Sequence, residues 1–178
     1  NHGQSLAFAA AKLGMEAVVV VPHGNNPEKN AAMKALGAEL IEYGADFQAD
    51  LEHCQGLATE RGLFMIGPFG SPVMRGVATY ALEMFEQVAK LDTVYVPIGM
   101  GSGICGMITV RDALGLDTEI VGVVTENADA YALSFEAGKV VTTETANTVA
   151  DGVACRSPDA QAVTLAYRGS ARVIRPSS

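Results

Sequence analysis

Two short segments of this 178-residue chain combine residue types and placement suited to holding anions. Asn1, His2, Gly3 and Gln4 open an alanine-rich stretch with helical spacing. Gly99, Met100, Gly101, Ser102 and Gly103 follow an apolar, strand-like run over 93–98 and precede another helical stretch. Each puts backbone N–H groups at a helix start, where unpaired donors and the positive pole of the dipole can hold an anion without a charged side chain. In the second segment the small side chains let a phosphate approach the main chain, and Ser102 adds a hydroxyl. The pair points to a phosphorylated cofactor and an acidic substrate. Taken alone, the glycine cluster fits a tight strand-to-helix turn equally well, and His2 alone fits an ordinary helix-start residue.

A rival reading uses the same loop. Gly101, Gly103 and Gly106 match G-x-G-x-x-G after a strand, and Glu126 ends the next predicted strand about 20 residues on, where a ribose-binding acid of an NAD site belongs. Against it, the loop follows several predicted strands rather than opening its domain, and the dinucleotide motif gives Asn1, His2 and Gly3 no task.

The elements that must position these segments alternate along the chain. Leu6, Ala9, Ala10 and Leu13 share one face of the first predicted helix, which Gly14 terminates. A buried strand over 16–22 follows, then a helix over 27–36 with Pro27 at its start and Gly37 as its stop, and a strand over 38–43. A helix over 45–61 and a short strand over 63–66 lead to Gly67, Pro68, Phe69, Gly70, Ser71 and Pro72, a run of turn formers read as a domain boundary. Beyond it the pattern predicts helices over 73–90, from the glycine loop to residue 114, over 127–137 and over 159–167, with strands over 93–98, 119–125 and 172–174. Strands separated by such helices imply parallel pairing with right-handed crossovers, so the class is α/β with open parallel sheets covered by helices. The expected division is 1–69 and 70–178.

Composition narrows the function. A hydrophobic share of 49% supports a packed core, and 20 acidic against 12 scattered basic residues, a net charge of -8, argue against nucleic-acid binding. No apolar run is long enough to span a bilayer, no secretory pattern opens the chain, and three widely spaced cysteines read as free thiols; the expectation is a cytoplasmic protein. With no initiating Met and a helix starting at residue 1, the chain is expected to be an internal fragment, incomplete at both ends.

The Asn1, His2, Gly3, Gln4 segment with 9–14, then 19–22, 34–38, 96–106 and Ala150, Asp151, Gly152 and Val153, in this order, resembles the serine/threonine dehydratase and serine racemase family of pyridoxal-phosphate enzymes. The resemblance runs along essentially the whole chain. It implies a two-domain, tryptophan synthase β-like architecture, with 70–178 belonging to the large cofactor-binding domain. It also implies pyridoxal 5'-phosphate as cofactor and conversion of a β-hydroxy amino acid, threonine or serine by default, to a 2-oxo acid and ammonia; a racemase of the same family stays open.

By the resemblance, Asn1 contacts the cofactor ring oxygen, Asn1, His2 and Gly3 receive the substrate carboxylate, and Gly99, Met100, Gly101, Ser102 and Gly103 cradle the cofactor phosphate. Met100 and Ser102 stand where the family more usually has glycine. The Schiff-base lysine lies upstream of the Asn-His-Gly segment in the family, so Lys12, Lys29, Lys34, Lys90 and Lys139 read as solvated charges. The isolated chain is therefore expected to be inactive, and the full-length protein to be a dimer. The family's divalent-cation site falls on Val124 and Ala130, which are apolar, so no metal is expected there; Glu126 and Asp129 read as helix-start acids. A non-catalytic regulatory or oligomerisation fragment is the remaining alternative.

Overall fold

The computed structural model describes residues 1–45, 47–170 and 172–177, arranged in two compact units, Asn1–Ile66 and Gly67–Ser178. The first unit runs α1 (His2–Leu13), β1 (Val18–Val21), α2 (Pro27–Ala35), β2 (Glu39–Glu42) and α3 (Phe47–Arg61). Strands β1 and β2 pair in parallel, from Val18 opposite Glu39 to Val21 opposite Glu42, with α2 as the crossover. Helix α2 is specified locally. Asn26 accepts hydrogen bonds from the Glu28 and Lys29 N–H groups, Pro27 stands in the first turn, and Gly37 follows the helix with φ +86.

The second unit runs α4 (Ser71–Gln87), β3 (Thr93–Pro97), α5 (Ser102–Ala113), β4 (Glu119–Val123), α6 (Ala130–Ala137), a single 3-10 turn at Asp151–Val153, α7 (Ala160–Gly169) and β5 (Arg172–Ile174). Its sheet has the order β3-β4-β5, all parallel. Helix α5 is the centre of this unit: Ile104, Cys105, Gly106, Met107 and Ile108 are consecutively buried, so α5 is covered on all sides over that stretch. Gly106 permits this, since a Cβ there would lie 3.2 Å from the Ala78 main chain on α4. At the far end of α5, Arg111 donates to the carbonyls of Thr118 and Gly169, both at 2.9 Å, tying the helix to β4 and to the end of α7. Among the described residues no helix is long and apolar enough to cross a membrane.

Several expectations change. Residues 63–66 form no strand: Phe64 is 91% exposed, and the main chain there makes no ladder. The apolar run is real, yet among the described residues no neighbouring strand offers its N–H and C=O groups partners. The face of α1 is also rotated: Ala7 is buried, while Ala9 is exposed and Leu13 is 73% exposed. Gly3 lies on the packed side of α1, where a Cβ would come within 2.6 Å of Met33 Sδ and 2.9 Å of Val19 Cγ1. The helix expected over 127–137 starts only at Ala130, and the one expected over 73–90 occupies Ser71–Gln87. Helix α3 begins at Phe47; the neighbouring Asp46, part of the expected helix, lies outside the described residues.

Candidate functional site

In the second unit β3 delivers the chain into the 99–103 segment, and α5 begins at Ser102 with Gly101 as its N-cap. Gly101 has φ +96, a left-handed conformation that a side chain would strain. A Cβ there would also lie 2.6 Å from Ala162 Cβ and 2.8 Å from the Tyr131 hydroxyl. At Gly99 a Cβ would fall 2.5 Å from the Gly152 carbonyl oxygen, so the Ala-Asp-Gly-Val segment packs directly on the loop. Gly103 differs: its nearest neighbours would be 3.7 Å or more away, and packing within the chain does not require a glycine there.

No side chain caps α5, and its first internal bond is from the Cys105 N–H to the Gly101 carbonyl. The first-turn N–H groups of Ser102, Gly103 and Ile104 have no acceptor within the helix, and they point out of its N-terminus. Such an end attracts an anion through both hydrogen bonding and the dipole.

Three residues that the sequence did not single out hold this loop. The Tyr131 hydroxyl donates to the Met100 carbonyl at 2.7 Å and accepts the Asp159 N–H at 3.3 Å. Burial, with the nearby Cys155 adding to it, pushes the Tyr131 pKa well up, so the hydroxyl stays a donor. Asp159 caps α7 by accepting from the Gln161 and Ala162 N–H groups. Ala162 supplies the small surface on which Gly101 rests. Behind the loop the Cys155 thiol lies 3.6 Å from Met100 Sδ, and burial pushes it up to about 11. An Asp just before an apolar helical stretch and a small residue on that helix's apolar face are the signals that point to Asp159 and Ala162; nothing in the local sequence marks Tyr131.

In the first unit Asn1 is the N-cap of α1 and makes no side-chain capping bond, while its carbonyl accepts the Ser5 N–H at 2.9 Å. The N–H groups of His2, Gly3 and Gln4 thus form a second helix start without a side-chain cap. His2 is half-buried and, because a carbonyl only accepts, donates from Nε2 to Ile66 O at 3.1 Å, which fixes its tautomer. Gly3 has the packing task already described.

Glu126 helps line a cleft of about 440 Å³ with Asn127, Asp129, Thr143, Thr145 and Asn147; the glycine loop contributes nothing to that lining. Asp129 does sit at the start of α6, but its carboxylate pairs with Arg175 at 3.1 Å instead of capping the helix. Val124 and Ala130 are buried.

The chain is 37% identical over 160 residues to the mitochondrial threonine dehydratase of Schizosaccharomyces pombe, which covers 88% of this chain and 26% of that protein. The processed form of threonine deaminase isoform 2 from Solanum lycopersicum superposes with a TM-score of 0.89 at 29% identity, over 99% of this chain and 52% of that one. Maize serine racemase gives 0.88 at 29% identity, over 99% and 54%. The chain thus spans between 26% and 54% of the length of these relatives. Helix-covered parallel sheets are the α/β, tryptophan synthase β-like fold of these enzymes. A model of the pyridoxal-phosphate dependent enzyme family matches residues 1–177, the glycine loop and the Asn-His-Gly helix start included, and the chain belongs to that family.

Proposed function

We propose that this chain supplies cofactor and substrate contacts of a pyridoxal-phosphate-dependent ammonia-lyase that converts threonine or serine to a 2-oxo acid and ammonia. The observation that carries the reading is the start of α5. Its first-turn donors have no side-chain cap, and the glycines at 99 and 101 are pressed so closely from behind that the main chain itself forms the binding surface. Space at Gly103 beyond what packing needs fits a phosphate lying against that turn.

Bound pyridoxal phosphate would supply an aldehyde for the substrate amine and a ring that takes up electron density released at Cα. In this reading the N–H groups of Gly101, Ser102, Gly103 and Ile104, with the Ser102 hydroxyl, hold the phosphate, and Gly99 and Met100 complete the loop. Met100 and Ser102 replace glycines without removing any backbone donor. Asn1 meets the ring oxygen, and Asn1, His2 and Gly3 receive the substrate carboxylate at the start of α1, where the dipole favours an anion. The 70–178 region belongs to the large cofactor-binding domain and 1–69 to the small one.

Lys12, Lys34, Lys90 and Lys139 are exposed and Lys29 is half-buried on α2. None has the desolvated setting of an amine nucleophile, which supports a Schiff-base lysine elsewhere in a longer polypeptide and no turnover by these 178 residues alone. Cytoplasmic location and a dimeric assembly belong to the same reading, by family resemblance. The dinucleotide alternative is disfavoured, because Gly106 is accounted for by the approach of α4 and Glu126 lines a cleft without the loop.

The test is an absorbance scan of a full-length protein containing this chain, before and after borohydride, with mass spectrometry of the reduced peptides. A visible band and an adduct on a lysine other than these five support the reading; no band, or an adduct on one of the five, overturns it. A racemase is the second reading, favoured by the likeness to maize serine racemase. Product analysis separates the two: ammonia and a 2-oxo acid in one case, the D-amino acid in the other.

A further inference from the structure

The loop departs from an all-glycine sequence at Met100, whose carbonyl is held by a buried tyrosine from another helix. A trans peptide is planar, and its C=O and N–H point in opposite directions. The hydroxyl that fixes the Met100 carbonyl therefore also fixes the direction of the Gly101 N–H, which belongs to the same peptide unit and must face away from Tyr131. A glycine at 101 would otherwise let that peptide rotate between conformers of similar energy.

We propose that Tyr131 is a positioning residue for anion binding: by holding the Met100 carbonyl against α6, it turns the Gly101 N–H outward as a fourth donor beside the three at the start of α5. The hydroxyl is anchored in turn by the Asp159 N–H at the start of α7, so the loop is referenced to two helices. Its depth excludes a competing water, since Tyr131 is only 2% exposed. The inference rests on the phosphate reading of the loop and adds to it a residue and a specific donor.

The measurement is a titration of the full chain with inorganic phosphate, following backbone amide resonances in the unaltered protein, Tyr131→Phe and Tyr80→Phe. Tyr80 has an exposed ring with a hydroxyl 3.4 Å from the Gly103 carbonyl, and serves as the matched loss of one hydroxyl near the loop. In the unaltered chain the amides of residues 101–104 should shift together. In Tyr131→Phe the Gly101 shift should vanish, those of 102–104 should persist, and the dissociation constant should rise about fivefold; Tyr80→Phe should match the unaltered chain. A role confined to packing would lower the melting temperature of Tyr131→Phe and leave the Gly101 response in place, which overturns the proposal.

If Tyr131→Phe loses its dispersed spectrum, the unaltered chain decides: the Tyr131 hydroxyl proton should exchange slowly and shift with the Gly101 amide on adding phosphate. Rapid exchange overturns the inference. Phosphate that binds without moving Gly101 overturns it alone, whereas no response from any residue of the loop overturns the phosphate reading as well.

Discussion

Helices α5 and α7 pack against each other in the same unit, yet their first turns are completed differently. At the start of α7 the Asp159 carboxylate accepts the Gln161 N–H at 2.8 Å and the Ala162 N–H at 3.1 Å, so the helix meets its own need for acceptors. At the start of α5 stands Gly101, with no side chain to offer, and the free donors face outward. The same pair recurs in the first unit, where Asn26 caps α2 and Asn1, of the same residue type, leaves α1 without a side-chain cap. A missing cap is not by itself a site: α4 also starts without one, and α6 starts with Asp129 committed to Arg175. What distinguishes α5 is the effort spent in holding a capless turn rigid, with Ala162, Gly152 and Tyr131 all pressed on its glycines.

The comparison breaks most visibly at Gly101. Gly101→Ala adds a side chain at φ +96 against two close neighbours, and should cost about 3 kcal/mol or more, lowering the melting temperature by roughly 6–12 °C. Gly103→Ala is the converse case. With no neighbour closer than 3.7 Å, it should melt within about 2 °C of the original while binding pyridoxal phosphate about tenfold more weakly. Equal loss of stability at both positions would mean that packing alone explains the loop.

Removing the cap of α7 with Asp159→Ala should cost about 1 kcal/mol, seen in chemical denaturation, and leave the phosphate response of the α5 amides intact because the Asp159 main-chain N–H still reaches Tyr131. The contact between the two helices gives the smallest effect. Cys105 Sγ lies 3.7 Å from the Ala162 carbonyl, and burial pushes the Cys105 thiol up to about 12 and that of Cys155 to about 11. Both lie above the ordinary thiol range, so the fold favours the neutral thiols. Their stabilisation is complete below pH 9 and is lost as pH rises from there toward 11–12. The melting temperature should fall across that window, and replacing both cysteines by alanine should flatten part of the fall.

Much of this was legible in the sequence wherever a local interaction decided the outcome. Pro27 at a helix start and Gly14 and Gly37 as stops fix helix limits through bonds spanning three or four residues, whereas the helix expected over 159–167 took in its own cap, Asp159. The apolar run at 63–66 misled because a strand needs a partner, and no property of those four residues supplies one. The face of α1 misled for a similar reason: Leu6, Ala9, Ala10 and Leu13 have helical spacing, but which line of α1 is buried depends on Met33 and Val19 on other elements. For the candidate site, the two helix starts and the glycine loop were readable; the clamp on Met100 was not, since Tyr131 is 31 residues distant and looks like an ordinary apolar helix residue.

Residues within a turn or two of one another set the alternation of strands and helices, the stops of individual helices and the two donor-bearing segments. Contacts between distant elements decided which glycines packing requires and which leaves space, that Asp129 pairs with Arg175, and which side chain orients the Gly101 peptide. Those outcomes depend on contacts between elements far apart in the chain, whose distances are set when the helices close on the parallel sheet.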